Sequence, residues 1–215
     1  MTSFERLTEM QIIQRILEGE TALYEMLIRR YNPCLYKTGR SYNYNHEDTQ
    51  DLMQETFIDA YKHLSQFEGR SGFKTWIIRI MMNNCYRRKK RPVFKNEVVK
   101  DINDNSKPMF TSSNNDTGKV VQNKELKQII EEALSKLPFD YRMVFSLREM
   151  NGLNGAETAD LLTISEANVK VRLSRAKMML RKEIEKMYAP SEIFEFNLIY
   201  CDAIVENVMN KINLL

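Results

Sequence analysis

Between Glu47 and Tyr61 the chain carries Glu47, Asp48, Asp51, Glu55 and Asp59 and no Lys or Arg. Carboxylates so closely spaced could serve acid–base chemistry or hold a metal. On a helix turning ~100° per residue, Asp48, Asp51, Glu55 and Asp59 share a sector about 80° wide, with Met53, Phe57, Ala60, Tyr61 and Leu64 opposite. Neither His46 nor His63 is placed to complete a catalytic or metal site, and the apolar side carries no pocket signature. Like charges four residues apart weaken a lone helix by a few tenths of a kcal/mol per pair. The stripe is therefore either a solvated face, with Glu47 and Asp48 favoured near a helix N-terminus, or a surface that meets a basic partner.

The next helix, Thr75 to about Arg91, has the reverse character. Ile77, Ile78, Met81 and Cys85 define an apolar side, while Arg79, Asn83, Tyr86, Arg87 and Lys90 gather on the other, with Trp76 at the margin. Aromatic, amide and guanidinium groups on one face suit unpaired bases, which stack on rings while cations take the backbone. The preceding loop, Phe67 to Phe73, sets two aromatics on a glycine-containing backbone that either turns the chain or cups an extruded base.

A third constellation lies between Gly155 and Arg181. Ala156 to Leu162 reads as a short helix with the small Ala159 where close packing needs it; Thr163-Ile164 turns; Ser165 caps a second helix beginning at Glu166. Val169, Leu173, Ala176 and Leu180 fall on the face that should pack on a core. Ala167, Val171, Ser174 and Arg175 point away, flanked by Asn168, Lys170, Arg172 and Lys177. From Ser165 to Tyr188 there are seven Lys or Arg against three Glu. Small residues that approach base edges, with long cations reaching phosphates on either side, describe a helix-turn-helix.

These surfaces need helical elements to carry them. The chain has 215 residues with only seven Gly and five Pro, too little punctuation for hairpins, and its period is three and four. Helical pattern runs from Met10 to about Arg91, interrupted at Asn32-Pro33, at Ser41 to Asn45, and at Phe67 to Gly72. It vanishes from Pro92 to about Val120, where Asn, Asp, Ser, Thr and Lys dominate, and resumes near Val121, divided at Pro138 and Gly152. After Ala189-Pro190 a new stripe begins at Ser191 and continues through Ile193, Phe194, Leu198, Cys201, Ile204, Val205, Val208, Met209 and Ile212. The expected fold is all-α: two small helical domains joined by a flexible linker, the second containing a helix-turn-helix, plus a C-terminal helical extension. The expected boundaries are 1–91, 92–121, 122–188 and 189–215.

Cys34, Cys85 and Cys201 are odd in number and form no CxxC or Cys/His spacing, so buried reduced thiols are expected rather than a zinc site or a disulfide framework. No signal peptide is read at Met1 to Leu7, and no run approaches the roughly 18 apolar residues of a membrane span. A cytoplasmic protein without membrane insertion is expected. The sequence lacks a GxxxxGK[ST] loop, and neither a metal nor a cofactor is expected.

These residues resemble the sigma-70 family of RNA polymerase sigma factors, and within it the extracytoplasmic-function group. Asp48-Thr-Gln-Asp-Leu-Met-Gln-Glu-Thr-Phe57, followed by Phe67-x-Gly-Arg-Ser-x-Phe73-x-Thr75-Trp76-Ile-x-Arg-Ile80 and Asn83, is similar to the family's second region. Leu137-Pro138, Val144-Phe145 to Gly152-Leu153, Ala156-Glu-Thr-Ala159 and Val169-Lys-Val-Arg-Leu-Ser-Arg-Ala176 resemble its fourth region. The resemblance spans about residues 20–91 and 122–184. It implies a promoter-specificity subunit, not an enzyme, that binds core RNA polymerase at the β′ clamp and β flap, binds promoter DNA, and is open to control by an anti-sigma factor. It assigns Asp48, Asp51, Gln54 and Glu55 to the polymerase. It assigns Phe67, Phe73, Thr75, Trp76, Arg79, Asn83, Tyr86, Arg87 and Lys90 to the −10 element. Asn168, Lys170, Val171, Arg172, Ser174 and Arg175 fall to the −35 element, with Arg172 on phosphate. Thr163 stands where family members commonly have glycine, and Val171 replaces a usual small polar residue, which favours contact with a thymine methyl. A stand-alone helix-turn-helix regulator, binding duplex DNA tightly without polymerase, is the alternative. The tail after Ser191 lies outside both motifs; it either modulates polymerase or anti-sigma binding or simply stabilises the chain.

Overall fold

The computed structural model describes residues 7–90, 117–187 and Met209. The remainder of the expected linker and of the C-terminal extension lies outside the described residues. Among the described residues there are eight α-helices: α1 Glu9–Leu17, α2 Tyr24–Ser41, α3 His46–Lys62, α4 Phe73–Lys90, α5 Thr117–Lys136, α6 Phe139–Phe145, α7 Gly155–Leu162 and α8 Glu166–Met187. Short 3₁₀ turns, Thr21–Leu23 and Leu64–Gln66, join the early helices, and a π-helical turn, Ser146–Met150, follows α6.

Local chemistry sets the helix starts. Thr8 caps α1 and Gln11 reaches back to the Thr8 amide, so two amides that a helix start leaves open are satisfied at once. Asn45 caps α3 by accepting from the Asp48 amide at 2.7 Å, and Glu47 and Asp48 place their charge in the first turn. At the far end of α4, Arg87, Arg88, Lys89 and Lys90 lie against the negative end of the helix dipole. Asn43, at φ 64°, makes the left-handed step that turns α2 into α3.

Asn32-Pro33 does not break the helical run: α2 passes through Pro33. Proline removes one backbone donor, but Tyr31, Cys34 and Leu35 around it are buried, and that packing outweighs the lost hydrogen bond. The α5 helix begins at Thr117, four residues before the apolar period resumes in the sequence.

The first core is formed where α2, α3 and α4 cross. Leu27, Leu35, Leu52, Phe73, Ile77, Ile78 and Met81 are fully enclosed there, beneath Ile12, Ile13 and Ile16 of α1. The α2 helix approaches α3 and α4 so closely at Gly39 that a Cβ there would lie 2.7 Å from Thr49 Cγ2 and 2.8 Å from Met81 Cε. Cys34 and Cys85 are buried in this domain, and burial pushes their thiols up, to about 11 and about 12 respectively. Both therefore stay neutral and poorly nucleophilic near pH 7.

The second domain has a small core of its own, Val144, Ala159 and Val169, edged by Leu162, Ile164 and Leu173. It does not stand apart from the first. Met143, Leu147 and Leu153 join the larger cluster of the first domain, so the π turn and its following loop are seated on α2. The sequence predicts two linked domains; it does not predict this shared core.

Candidate nucleic-acid and polymerase interface

On α3 the buried residues are Thr49, Leu52, Thr56, Phe57 and Ala60. Tyr61, expected on the apolar side, is exposed and packs edge-on against Tyr24 at 5.0 Å. The acidic stripe finds part of its counter-charge inside the chain. Arg88 of α4 lies 2.5 Å from Asp48 and 3.7 Å from Asp51, and Arg87 lies 3.2 Å from Asp59. Asn84, buried between the two helices, donates to Thr56 Oγ1 at 3.2 Å and to Asp59 Oδ2 at 3.1 Å. The ends of the stripe are thus tied to the basic end of α4. Gln54 and Glu55 stay exposed in its middle, and Asp51 keeps 63% of its side chain in solvent. A basic partner can reach that middle.

Along α4 the polar residues divide into two groups. Arg79, Asn83, Tyr86, Arg87 and Lys90 are exposed as the period predicts, and the Lys90 ammonium rests 4.5 Å from the centre of the Tyr86 ring. Trp76 is half-buried, packed at a tilt against Phe67 and Phe73 at centroid distances of 5.3 Å. Phe73 is corrected to a core residue. It opens α4 instead of ending a loop, is 0% exposed, and packs against Tyr31 and Phe67, each at 5.4 Å, so its ring has no face left for a base. Phe67 keeps part of its surface on the loop, where Gly69 at φ 71° turns the chain. Thr75 is also buried, with its hydroxyl 3.0 Å from Glu157 of α7, and reaches a ligand only when the second domain moves.

The helix-turn-helix forms as the sequence predicts. Asn154 and Glu157 make a capping box at the start of α7, and the Ser165 hydroxyl accepts from the Asn168 amide at 3.2 Å to start α8. Val169 and Ala176 are buried, while Leu173 and Leu180 are half-buried. Asn168, Lys170, Val171, Ser174 and Arg175 are exposed on the outer face. Arg172 is set apart from them, because it pairs with Asp140 of α6 at 3.2 Å and keeps only 24% of its side chain in solvent. Thr163 makes the turn in the left-handed region, at φ 55° and ψ 47°, the conformation that a glycine takes freely. A β-branched residue is strained there by about 1–2 kcal/mol. Thr163→Gly is therefore expected to raise stability by about 1 kcal/mol, the rest being offset by the entropy of the unfolded glycine. Chemical denaturation measures this, and a loss of stability would contradict the assigned turn.

Lys37 of α2 and Lys74 of α4 escape a reading by period, since neither belongs to a charged run. The structure places both near the Cys34 thiol and bonds each to the second domain. Among the described residues no group of His, Cys, Asp and Glu could hold a metal ion, and no helix is long and apolar enough to cross a membrane.

An acidic helix, an adjoining helix bearing aromatic and basic groups, and a capped helix-turn-helix define a bipartite, DNA-binding class of protein. Comparisons with known proteins agree with it. Residues 27–92 match the model of Sigma-70 region 2 and residues 127–180 that of Sigma-70 region 4, together more than half of the chain. The chain is 25% identical over 187 residues to the ECF RNA polymerase sigma-E factor of Haemophilus influenzae, covering 85% of this chain and 98% of the relative. To the ECF RNA polymerase sigma-E factor of Escherichia coli K12 it is 27% identical over 188 residues, covering 85% and 97%. Two solved structures share the fold. One is CnrH in complex with the cytosolic domain of CnrY, at TM-score 0.58 and 21% identity, covering 81% of this chain and 96% of that one. The other is the sigma factor RpoE in complex with the anti-sigma factor NepR from Bartonella quintana, at TM-score 0.59 and 22% identity, covering 75% and 96%. The chain belongs to the sigma-70 family, in its ECF group. It is a sigma factor, acting with RNA polymerase in promoter-specific initiation.

Proposed function

We propose that the work of initiation is divided among three surfaces of this chain. The exposed middle of α3, Asp51, Gln54 and Glu55 with Asp48 at its edge, binds the β′ clamp of core polymerase. The outer face of α4, Trp76, Arg79, Asn83, Tyr86, Arg87 and Lys90 with Phe67 on the loop before it, captures the opened −10 element. Asn168, Lys170, Val171, Ser174 and Arg175 of α8 read the −35 element, with Arg172 on a phosphate once Asp140 releases it. The second domain, 122–188, also meets the β flap, and 92–121 serves as the linker. The observation that carries this reading is the segregation of charge: α3 presents carboxylates while the outer faces of α4 and α8 present cations and aromatic or small groups.

Melting in this scheme uses binding energy alone, since unpaired bases captured on α4 shift the duplex toward the open form. The protein is thus a regulatory subunit and not an enzyme, working in the cytoplasm beside its polymerase. The complexes formed by its structural relatives support an anti-sigma protein as a further partner.

Transcription by core polymerase and this protein from templates with randomised upstream sequence tests the division. Transcribed templates are expected to be enriched for two sequence blocks, and Val171→Ser is expected to change the preference in the upstream block only. Enrichment of a single block, or a Val171→Ser change in the downstream block, would overturn the assignment.

A further inference from the structure

The α1 helix lies ahead of the stretch matched by the model of Sigma-70 region 2, which begins at residue 27. Its buried side, Ile12, Ile13 and Ile16, closes the first core. Two residues of its first turn do something that the core does not require. The Glu9 carboxylate accepts a hydrogen bond from the Tyr31 hydroxyl and lies 3.7 Å from the Arg30 guanidinium. Burial, and then the Glu9 carboxylate, raise the Tyr31 phenol above its ordinary value, so the hydroxyl stays a donor. Met10 points elsewhere and reaches the loop before α4: a Cβ on Gly69 would lie 3.6 Å from Met10 Cε and 3.8 Å from its sulfur.

Both contacts lead to the same aromatic group. Tyr31 packs on Phe73 at 5.4 Å, and Phe73 packs on Phe67 at 5.4 Å and on Trp76 at 5.3 Å. Phe67 stands two residues before Gly69, where the loop turns at φ 71°. The α1 helix also touches Leu64–Gln66, the 3₁₀ turn directly ahead of Phe67. Phe67 and Trp76 are thus backed in two ways, through Tyr31 and Phe73 at their rings and through Met10 at the loop backbone. Rings stack a base only while they keep their orientation, and a loop turned on glycine does not keep it unaided.

We propose that Glu9 and Met10 are positioning residues for promoter opening, and that α1 is the brace that holds Phe67 and Trp76 in the orientation that captures an unpaired base. Neither residue contacts DNA in this scheme; each acts through the aromatic group. Met10 is 52% exposed, so shortening it uncovers little of the core, and its effect on capture separates from any effect on stability. The inference rests on the proposed role of Phe67 and Trp76 at the −10 element.

The test compares the full chain with Met10→Ala and Glu9→Ala, and with the conservative Met10→Leu and Glu9→Gln, the last of which keeps an acceptor for Tyr31. Folding is read by circular dichroism and denaturant titration. Trp76 is the single tryptophan of the sequence, so acrylamide quenching of its emission in the free chain reports on the aromatic group directly. Capture is read with the holoenzyme, by anisotropy of a fork-junction DNA probe built from a template selected in the randomised pool, over a series of salt concentrations. Both alanine variants are expected to stay folded and to open Trp76 to the quencher. Rings that are correctly set about a tenth of the time weaken capture about tenfold. The slope of log affinity against log salt should not change, because no phosphate contact is lost. The leucine and glutamine variants are expected to restore capture. Folded alanine variants that capture the probe as the unaltered chain does would overturn the proposal, and so would weakened capture that only follows a loss of folded protein with Trp76 quenching unchanged. Phe67→Ala is measured beside them. If Phe67→Ala captures normally, the role of the aromatic group fails and the brace fails with it; if Phe67→Ala is defective while both alanine variants are normal, the brace alone fails.

Discussion

Replacing Phe73 by Ala is expected to destabilise the first domain by about 3–5 kcal/mol, the usual cost of removing an enclosed aromatic ring. The ring is completely buried and touches Tyr31, Phe67 and Trp76, aromatic neighbours that contribute beyond the area they cover. A marginally stable domain loses much of its folded population at that cost. Denaturant titration distinguishes this from a direct role in DNA binding. A DNA contact alone predicts normal stability with weakened promoter opening, and that result would return Phe73 to the DNA surface.

Asp51→Ala/Glu55→Ala should do the opposite, sparing the fold and removing the function. Asp51 is mostly in solvent and lies 3.7 Å from an Arg88 that is already held by Asp48 at 2.5 Å. Exposed pairs of that kind contribute about 0–1 kcal/mol, so melting should hardly change. Against a basic polymerase surface the same two carboxylates lose water and gain partners, where removing one side of a charge pair costs about 2–5 kcal/mol. Core binding is expected to weaken by roughly 30-fold or more, and promoter-directed run-off transcription to fall with it. Unchanged transcription would remove the acidic middle of α3 from the interface.

The sequence discloses the helices well because their signals are local. The Ser165 cap, the apolar period of α4 and the small Ala159 each act within a few residues, and α3, α7 and α8 begin within one residue of where they are read. Failures occur where distant residues decide. Pro33 stays helical because Tyr31, Cys34 and Leu35 are packed by α3 and α4, which no window around Pro33 reveals. Phe73 reads as a loop aromatic until its neighbours Tyr31 and Trp76 are known. The counter-charge for Asp48 and Asp59 comes from Arg88 and Arg87, about 30–40 residues along the chain.

The exposed faces of α4 and α8 were legible for the same local reason, since amphipathic period separates a buried stripe from an outer one. The covering of α4 was not. It depends on Lys37, Lys74 and Arg142, cations that no helical period singles out, which meet carbonyl oxygens that every residue carries.

Titration of the fluorescently labelled chain with core RNA polymerase at moderate ionic strength tests the account most directly. Saturable one-to-one association that weakens as salt rises is the result predicted by a carboxylate surface meeting a basic clamp. No association at any salt concentration, from a chain shown to be folded, would contradict it.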